Sequence, residues 1–212
     1  IYIMKKIIFI GGGSFAREIE SVAKDNDLNV IGYIDQKRTA SSFKYLGNFK
    51  KLTSSGISFD YIFLAIGAVD KKSINLRKKF IEFIKTNKLP TTSIISKSSI
   101  IEKQTKIFPG AFVGHGCIVS IGASIGPYSV LNSGAILGHD SIIKNNVIIA
   151  PRAFVAGNVL IKANTIIGPG SNLIQNITIG SNAVIGVGSN VLRSVKNNTH
   201  FLTIQNKKLI SS

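Results

Sequence analysis

Two adjacent residues late in the chain, His139 and Asp140, have the side chains that a proton-transfer reaction needs. An imidazole acts as a general base when an acceptor orients it, and a neighbouring carboxylate stabilises the imidazolium that forms. Asp140 is the only acidic residue between positions 103 and 212, and Glu102 is the only other one beyond position 93. A His-Asp pair can also be an ordinary solvated turn. From this scarcity of acids we predict that His139 is the base and Asp140 its orienting partner.

Both residues lie in a six-residue repeat. Stepping by six from Ile95 to Val191 meets only Ile, Leu or Val, seventeen times in succession. A period of six fits neither a helix nor a single strand, but it fits short strands separated by turns, with three strands in each 18-residue triangular coil. The repeat predicts a parallel β-helix of five to six coils without an inserted loop. Hexapeptide-repeat proteins resemble one another in winding left-handed, and most are trimeric acyltransferases, although the repeat alone also suits a purely structural solenoid.

The 18-residue coil identifies the neighbours of His139. One coil above it lies Gly157, where we expect the glycine to leave room for a thioester and its N–H to polarise the thioester carbonyl. The residues one position before His139, Gly157 and their equivalents in later coils also stack in a column. This column becomes apolar toward the C-terminus, which suits a pantetheine arm or burial against a neighbouring subunit. That column contains Gly138, Ala156, Ile174 and Leu192. The basic residues that are candidates for meeting phosphates are Arg193, Lys196, Lys207 and Lys208.

Three further residues of the repeat have chemically active side chains. His115 precedes His139 by one coil plus one side, so the two histidines cannot share a site within one chain. A neighbouring subunit could bring the two sides together, and Asn132 could likewise act across such an interface. A structural role for His115 is at least as plausible. Cys117 occupies a small inward position, which makes it a poor nucleophile.

The first 92 residues have the pattern of half a nucleotide-binding fold. An apolar strand over 7–10 precedes a G-x-G-x-x-A segment, a helix to about Asp25 and a strand that ends at Asp35. Glycine amides at a helix N-terminus bind anions, and the acid can accept a hydrogen bond from a ribose hydroxyl. A third strand over 61–66 and an amphipathic helix complete one βαβαβ half, which suits one mononucleotide better than a dinucleotide. The candidate substrate-binding residues here are Gly11, Gly13, Ser14, Arg17, Asp35 and Gly67.

The composition argues against a nucleic-acid-binding protein, a membrane protein and a disulfide-bonded protein. The net charge is +16, from 26 basic and 10 acidic residues, but it is divided evenly, with 16 basic and 8 acidic residues up to position 93. Aromatic residues make up 8% and Trp is absent, so a base-stacking surface is poorly supplied and we expect no nucleic-acid partner. No apolar run approaches the ~20 residues that cross a bilayer, and no signal peptide is evident, so we expect a cytoplasmic protein without membrane insertion. The single cysteine argues against a disulfide, and we expect no metal.

The combined pattern resembles the NeuD/PglD-type sugar acyltransferases, which include sialic acid O-acetyltransferases and bacillosamine-pathway N-acetyltransferases. The resemblance covers nearly the whole chain and is carried by residues 8–18, 32–35, 64–67, 131–140 and 156–158. It implies that His139 is the general base, that Asp140 orients it, and that acetyl-CoA lies between adjacent protomers near Gly157. It also implies that the glycine-rich loop and Asp35 hold the nucleotide of the sugar substrate. Departures from the family pattern are Lys144, Lys162 and the segment 201–208.

We therefore predict a Rossmann-like α/β half domain over 1–92, an all-β left-handed parallel β-helix over 93–195 and a C-terminal tail over 196–212. The predicted function is acetyl-CoA-dependent N-acetylation of a nucleotide-linked amino-dideoxy sugar of the UDP-4-amino type, for bacterial surface glycan biosynthesis, by a homotrimer with active sites between subunits. The residues predicted to bind acetyl-CoA are Ala156, Gly157, Ile174 and Arg193. Alternatives that stay open are sugar O-acetylation of the sialic acid type, a non-catalytic nucleotide-sugar sensor or scaffold, and a nucleic-acid binder.

Overall fold

A computed structural model of the chain describes residues 4–39, 41–54 and 56–202. Its first part is a parallel sheet with helices, and its second part is a parallel β-helix with three faces. The predicted fold class, an α/β half domain followed by a left-handed parallel β-helix, is confirmed.

The α/β domain is built on a parallel four-stranded sheet with the order β3-β2-β1-β4. Its elements are β1 (Lys5–Ile10), α1 (Ser14–Asp25), β2 (Leu28–Ile34), β3 (Tyr45–Gly47), α2 (Phe49–Ser54), β4 (Tyr61–Leu64) and α3 (Lys71–Thr86). Strand β1 is fully buried from Ile7 to Ile10, as expected of a central strand in a parallel sheet. Because the strands are parallel, their carboxyl ends meet at one edge, where the residues after β1, β2 and β4 come together.

Helix α3 begins at a capping box. The Asp70 carboxylate accepts a hydrogen bond from the backbone N–H of Ser73 at 2.7 Å, and the Ser73 hydroxyl accepts one from the backbone N–H of Asp70 at 3.1 Å. The Ser73 hydroxyl also donates to the Asp70 carboxylate, and this bond, together with the one from the Ser73 backbone N–H, holds the pKa of Asp70 below its usual value. The buried face of the helix consists of Ile74, Arg77, Phe80, Ile81 and Ile84. The helix thus carries one buried charged residue among apolar ones.

The β-helix consists of two-residue strands, and each pairs in parallel with the strand 18 residues later, as in the pair Leu131 and Ile149. Seventeen strands follow at intervals of six residues, which confirms the uninterrupted repeat. The first face contains β5 (Ile94–Ile95), β8 (Phe112–Val113), β11 (Val130–Leu131), β14 (Ile148–Ile149), β17 (Ile166–Ile167), β20 (Val184–Ile185) and β22 (His200–Phe201). The second face contains β6 (Ile100–Ile101), β9 (Ile118–Val119), β12 (Ile136–Leu137), β15 (Phe154–Val155), β18 (Asn172–Leu173) and β21 (Asn190–Val191). The third face contains β7 (Lys106–Ile107), β10 (Ser124–Ile125), β13 (Ile142–Ile143), β16 (Leu160–Ile161) and β19 (Thr178–Ile179).

Each hexad supplies one large and one small inward side chain. The aliphatic residues at six-residue steps from Val113 to Val191 are at most 1% exposed. Small residues such as Ala123, Ala135 and Ala153 are fully buried between them. One turn position in every hexad from 104 to 188 has a left-handed backbone, with φ between 53° and 81°. Glycine, asparagine and aspartate tolerate this conformation best, which explains why they recur there.

The last coil is two residues shorter than the others. Val195 bridges to Ile179, and Phe201 pairs with Ile185, in each case across 16 residues and not 18. The predicted tail over 196–212 therefore begins inside the β-helix, since β22 extends its first face. Residues 203–212, which include Lys207 and Lys208, lie outside the described residues.

The α/β domain packs on the first face of the β-helix. Outward side chains of that face, among them Phe112, Val130 and Ile148, are at most 2% exposed and share a core with α1 and β1. At the first coil, the Asn26 side chain donates to the carbonyl of Ile95 and accepts from its N–H, which pairs the edge of that strand. Among the described helices, none is long and apolar enough to span a membrane.

Candidate active site

His139 lies on the edge of the β-helix that is farthest from the α/β domain. It follows β12 on the second face and precedes β13 on the third, whereas the α/β domain covers the first face. We call this the His139 edge, defined by the stacked positions 121, 139, 157, 175 and 193. The side chains of His139 and Asp140 are 54% and 61% exposed. The edge is therefore open to solvent in one chain and available to a ligand or to another copy.

The predicted pair is formed. Nδ1 of His139 lies 3.1 Å from Oδ2 of Asp140. When Nδ1 carries the proton and donates it to this carboxylate, Nε2 is left as the free acceptor on the opposite side of the ring. The geometry thus provides an oriented imidazole with one basic nitrogen directed away from the acid.

Asp140 occupies the recurrent left-handed turn position, with φ of 56°. The equivalent residue one coil below is Gly122, and a Cβ there would lie 2.3 Å from Oδ1 of Asp140. Gly122 therefore provides the space in which the carboxylate sits beside His139. Gly122 was not predicted as a site residue, although the 18-residue step back from Asp140 leads to it.

Gly157 lies directly against the ring of His139. A Cβ at this position would be 2.3 Å from Nε2, so the space above the glycine holds the imidazole itself. This corrects the expectation that Gly157 leaves its room to a thioester. Gly157 is buried, and its N–H donates to no acceptor within the residues that the structure describes.

Gly138 keeps that N–H uncovered. A Cβ on Gly138 would lie 2.5 Å from the carbonyl carbon of Ala156 and 2.6 Å from the nitrogen of Gly157. Any side chain at position 138 would push against this peptide unit. The glycine therefore allows close stacking of the coils and leaves open the approach to the Gly157 amide.

Two coils below Gly157, the backbone amide at the equivalent position of this edge donates a hydrogen bond to a carboxylate oxygen. Oε2 of Glu102 accepts a hydrogen bond from the N–H of Ile121 at 2.7 Å. Glu102 stands 19 residues before Ile121, as Gly138 stands 19 residues before Gly157. A carboxylate thus covers the amide at the lower coil, whereas at Gly157 the corresponding residue has no side chain.

Of the residues predicted for coenzyme A, Ile174 and Arg193 are exposed on a strip beside this edge, whereas Gly157 is buried. Ile174 is 45% exposed and Leu192 is 72% exposed, and Ala156 is partly buried. Arg193 and Lys196 are exposed near the upper end of the strip. These large apolar side chains in solvent suit an apolar ligand arm or a neighbouring chain.

A second site lies at the carboxyl edge of the α/β sheet, in a cleft of about 380 Å³. Its lining includes Gly11, Gly13, Ser14, Asp35 and Gly67 from the predicted set. Helix α1 begins here without a side-chain cap on its first amides and without an acid in its first turn, which leaves the positive end of the helix dipole for an anion. Gly11 has φ of 93°, a conformation that a residue with a side chain rarely adopts.

The apolar wall of this cleft was not predicted. Leu76 and Phe80 of α3 line it opposite the glycines and give it an apolar wall suited to a flat base. The sequence pattern did not identify them as cleft residues, because Phe80 has the spacing of the buried face of an amphipathic helix. Arg17 lies in an adjoining polar recess of about 220 Å³ with Ser14, Ser41 and Ser42.

Asn132 and His115 lie on a different edge, between the first and second faces. The Asn132 side chain donates to the carbonyl of Ile149 at 3.3 Å. Nδ1 of His115 is 2.8 Å from Oγ of Ser96, and its Nε2 is 3.5 Å from Oγ of Ser21 in α1. Within one chain these contacts are structural, and neither residue reaches the His139 edge.

Cys117 is fully buried, and burial raises the pKa of its thiol to about 11. A thiol of that kind carries almost no thiolate near neutral pH. Among the described residues, no cluster of three or more His, Cys, Asp or Glu side chains is arranged to hold a metal ion.

Residues 6–82 match the family model described as the PglD N-terminal domain. The match covers β1 to most of α3, and it therefore includes every predicted residue of the cleft. A comparison with curated proteins gives no significant match.

The α/β domain and the β-helix together are similar to solved structures, two of which are of acetyltransferases. A histidine variant of GDP-perosamine N-acetyltransferase from Caulobacter crescentus, in complex with CoA and GDP-perosamine, is 22% identical with a TM-score of 0.83, covering 94% of each chain. The acetyltransferase domain of PglB from Neisseria gonorrhoeae, in complex with acetyl coenzyme A, is 21% identical with a TM-score of 0.82, covering 92% of this chain and 95% of that one. WeeI from Acinetobacter baumannii is 19% identical with a TM-score of 0.77, with the same coverage. The predicted resemblance is confirmed, and these structures share the fold of the chain.

Proposed function

We propose that the protein is an acetyl-CoA-dependent N-acetyltransferase that acts on the amino group of a nucleotide-linked amino sugar. The observation that carries this proposal is the packing of the His139 ring against Gly157, whose N–H has no acceptor among the described residues, while Nδ1 of His139 lies 3.1 Å from the carboxylate of Asp140. A base and an oxyanion donor at one point are what acyl transfer requires.

The proposed reaction is a direct transfer. The sugar nitrogen attacks the thioester carbonyl carbon of acetyl-CoA, and Nε2 of His139 accepts the proton that the nitrogen loses. The N–H of Gly157 donates to the oxyanion of the tetrahedral intermediate, in the position that Oε2 of Glu102 takes on Ile121. Collapse breaks the C–S bond, and the departing thiolate takes the proton from the imidazolium. The buried thiol of Cys117 takes no part.

The cleft of the α/β domain is the proposed site for the nucleotide. Phosphate oxygens would bind the first amides of α1 beside Gly13 and Ser14, with Arg17 in the adjoining recess. Asp35 would accept hydrogen bonds from the nucleoside, and Leu76 and Phe80 would contact its base. Structural neighbours that are described with CoA and a nucleotide amino sugar support this ligand pair. We propose a UDP-4-amino-dideoxy sugar used in bacterial surface glycan biosynthesis in the cytoplasm.

The two sites must come from different copies of the chain. Within one chain the β-helix separates the His139 edge from the first face, on which the α/β domain packs. We therefore propose a homotrimer in which the His139 edge of one copy meets the cleft of the next. In such an assembly Asn132 would contribute from the partner, and acetyl-CoA would lie along Ala156, Ile174 and Arg193.

The direct test is release of free thiol from acetyl-CoA with a panel of UDP-, GDP-, dTDP- and CMP-linked amino sugars. We expect turnover with one amino sugar, no turnover with its hydroxyl analogue, and a product in which mass spectrometry places the acetyl group on nitrogen. An ester product would assign the protein to O-acetylation. Binding of a nucleotide sugar without CoA binding or turnover would indicate a sensor, and a salt-dependent affinity for DNA would indicate a nucleic-acid binder.

A further inference from the structure

Arg77 is a buried charge on α3. It is 1% exposed, and burial lowers the pKa of its guanidinium to about 9. No carboxylate pairs with it in the part of the chain that the structure describes. A buried guanidinium is costly unless oxygen acceptors surround it, so its contacts must matter to the fold or to a site.

All the acceptors of Arg77 lie at the junction of the two domains. Its Nε donates to Oδ1 of Asn146 at 2.9 Å, one terminal nitrogen donates to the carbonyl of Tyr128, and the other donates to the carbonyl of Ile66. Asn146 is itself fully buried and donates to Oδ1 of Asn164 at 2.9 Å. Arg77 thus binds two turns of the β-helix and one loop of the α/β domain.

That loop is a wall of the nucleotide cleft. Ile66 and Gly67 line the cleft directly, and so do Leu76 and Phe80, which lie beside Arg77 on α3. Ile66 also packs closely against the glycine-rich loop, because a Cβ on Gly11 would lie 2.6 Å from the Cγ1 atom of Ile66. A shift of the Ile66 carbonyl would therefore move both the wall and the space above Gly11.

We infer that Arg77 is a positioning residue for the nucleotide cleft, which fixes the Ile66–Gly67 wall against the Tyr128 and Asn146 turns of the β-helix. Its planar guanidinium can reach three oxygens that lie in different directions, whereas a lysine ammonium on a flexible stem cannot hold the same geometry. The inference rests on the proposed function in one respect, since it takes the cleft to be the nucleotide site.

The test is isothermal titration of the intact protein with UDP, GDP, dTDP, CMP and CoA. Arg77→Lys and Arg77→Met are compared with Asn146→Ala, which removes the acceptor of Nε together with the hydrogen bonds that Asn146 donates to Asn164 and to the carbonyl of Ile74. For whichever nucleotide the wild type binds, we expect the dissociation constant to rise about tenfold in the Arg77 variants and about threefold in Asn146→Ala. The CoA affinity should stay within twofold. Hydrogen exchange of the amides of residues 65–68 should become faster.

The matched control is Ile84→Val, which shortens another buried side chain of α3 without removing a bond to Ile66. It should lower the melting temperature and leave nucleotide affinity and the exchange of residues 65–68 unchanged. If Arg77→Met does not fold, the nucleotide affinities of Arg77→Lys and Asn146→Ala decide whether Arg77 positions the cleft. Nucleotide affinity within twofold of wild type in both would overturn the inference. If the wild type binds none of UDP, GDP, dTDP and CMP, the proposed function fails, and the exchange of residues 65–68 alone decides the role of Arg77.

Discussion

The cleft of the α/β domain and the His139 edge are built in opposite ways. The cleft is concave, and loops from three strand ends and one helix enclose it within a single chain. The edge is convex and exposed, and each of its residues is placed by the residue 18 positions away. The cleft can hold a ligand by itself, whereas the edge can only present groups to something that approaches it.

This difference indicates where each kind of chemistry belongs. Binding of a polyanion needs converging donors, which the amides of α1 beside Gly13 provide. Acyl transfer needs a base and a donor aimed at one atom, which the stacked coils provide with a rigid backbone at His139 and Gly157. The predictions below test whether the two regions serve these separate tasks.

The largest effect is expected from the base. His139→Ala should lower kcat at least ~100-fold, the usual scale for loss of a general base. Nucleotide affinity should not change, because His139 is assigned to the reacting sugar nitrogen and not to the nucleotide. Steady-state kinetics and titration with the nucleotide measure the two effects. His115→Ala, which removes a histidine from another edge, is the control, and near-normal turnover in His139→Ala would exclude the assigned base.

The next effect is expected from the glycine beside the base. In Gly157→Ala the new Cβ would lie 2.3 Å from Nε2, so the imidazole must turn away. The ring is exposed and can move at little cost to folding. We therefore expect kcat to fall about 30-fold with an unchanged melting temperature, because misplacement of a catalytic group by about 1 Å can cost a hundredfold. Unchanged kcat would show that the ring does not act from this position.

A smaller effect is expected in the cleft. Gly13 is the N-cap of α1 with an extended backbone, and nothing lies within 4 Å of a Cβ placed there. Aspartate is a favoured N-cap residue, so Gly13→Asp should keep or raise stability while its carboxylate repels a phosphate. We expect KM for the nucleotide sugar to rise about tenfold with kcat nearly unchanged. Gly13→Asn has the same shape without the charge, and an equal loss in both variants would argue against an anion site.

The sequence was most informative where structure repeats. The 18-residue step placed Gly157 beside His139, because stacked coils convert sequence distance directly into spatial contact. The same step misled in one respect, since it could not show that the ring of His139 fills the space above the glycine. Rotamers depend on the local surroundings, which a column of residues does not specify.

In the cleft, sequence patterns identified the glycines and Asp35 but not the wall formed by Leu76 and Phe80. The packing angle of α3 decides which of its apolar residues face the cleft, and periodicity gives only the buried side. Arg77 was missed for a related reason. A single arginine in a lysine-rich helix reads as solvated, and its acceptors are carbonyl groups that only the docking of two domains brings together.

The smallest effect is expected inside the β-helix. Cys117→Ala should leave turnover within twofold, since alanine occupies equivalent inward positions. Burial raises the pKa of the thiol from 9.0 to about 11, so the folded state keeps a proton that the unfolded state loses from about pH 9 upward. Stability of the wild type should therefore fall across pH 9–11. Between pH 8 and 10.5 the wild type should lose about 2 kcal/mol more than the variant in urea unfolding, and equal losses would contradict this.

The central claim is that the cleft of one copy and the His139 edge of another form a single active site. It is tested most directly by co-assembling His139→Ala with Gly13→Asp and measuring acetyl transfer at a nucleotide-sugar concentration below KM. If sites are shared between chains, random mixing of equal amounts restores intact sites to about one quarter of the wild-type number, and activity rises to that level. Activity no greater than the mean of the two separate variants would contradict the account.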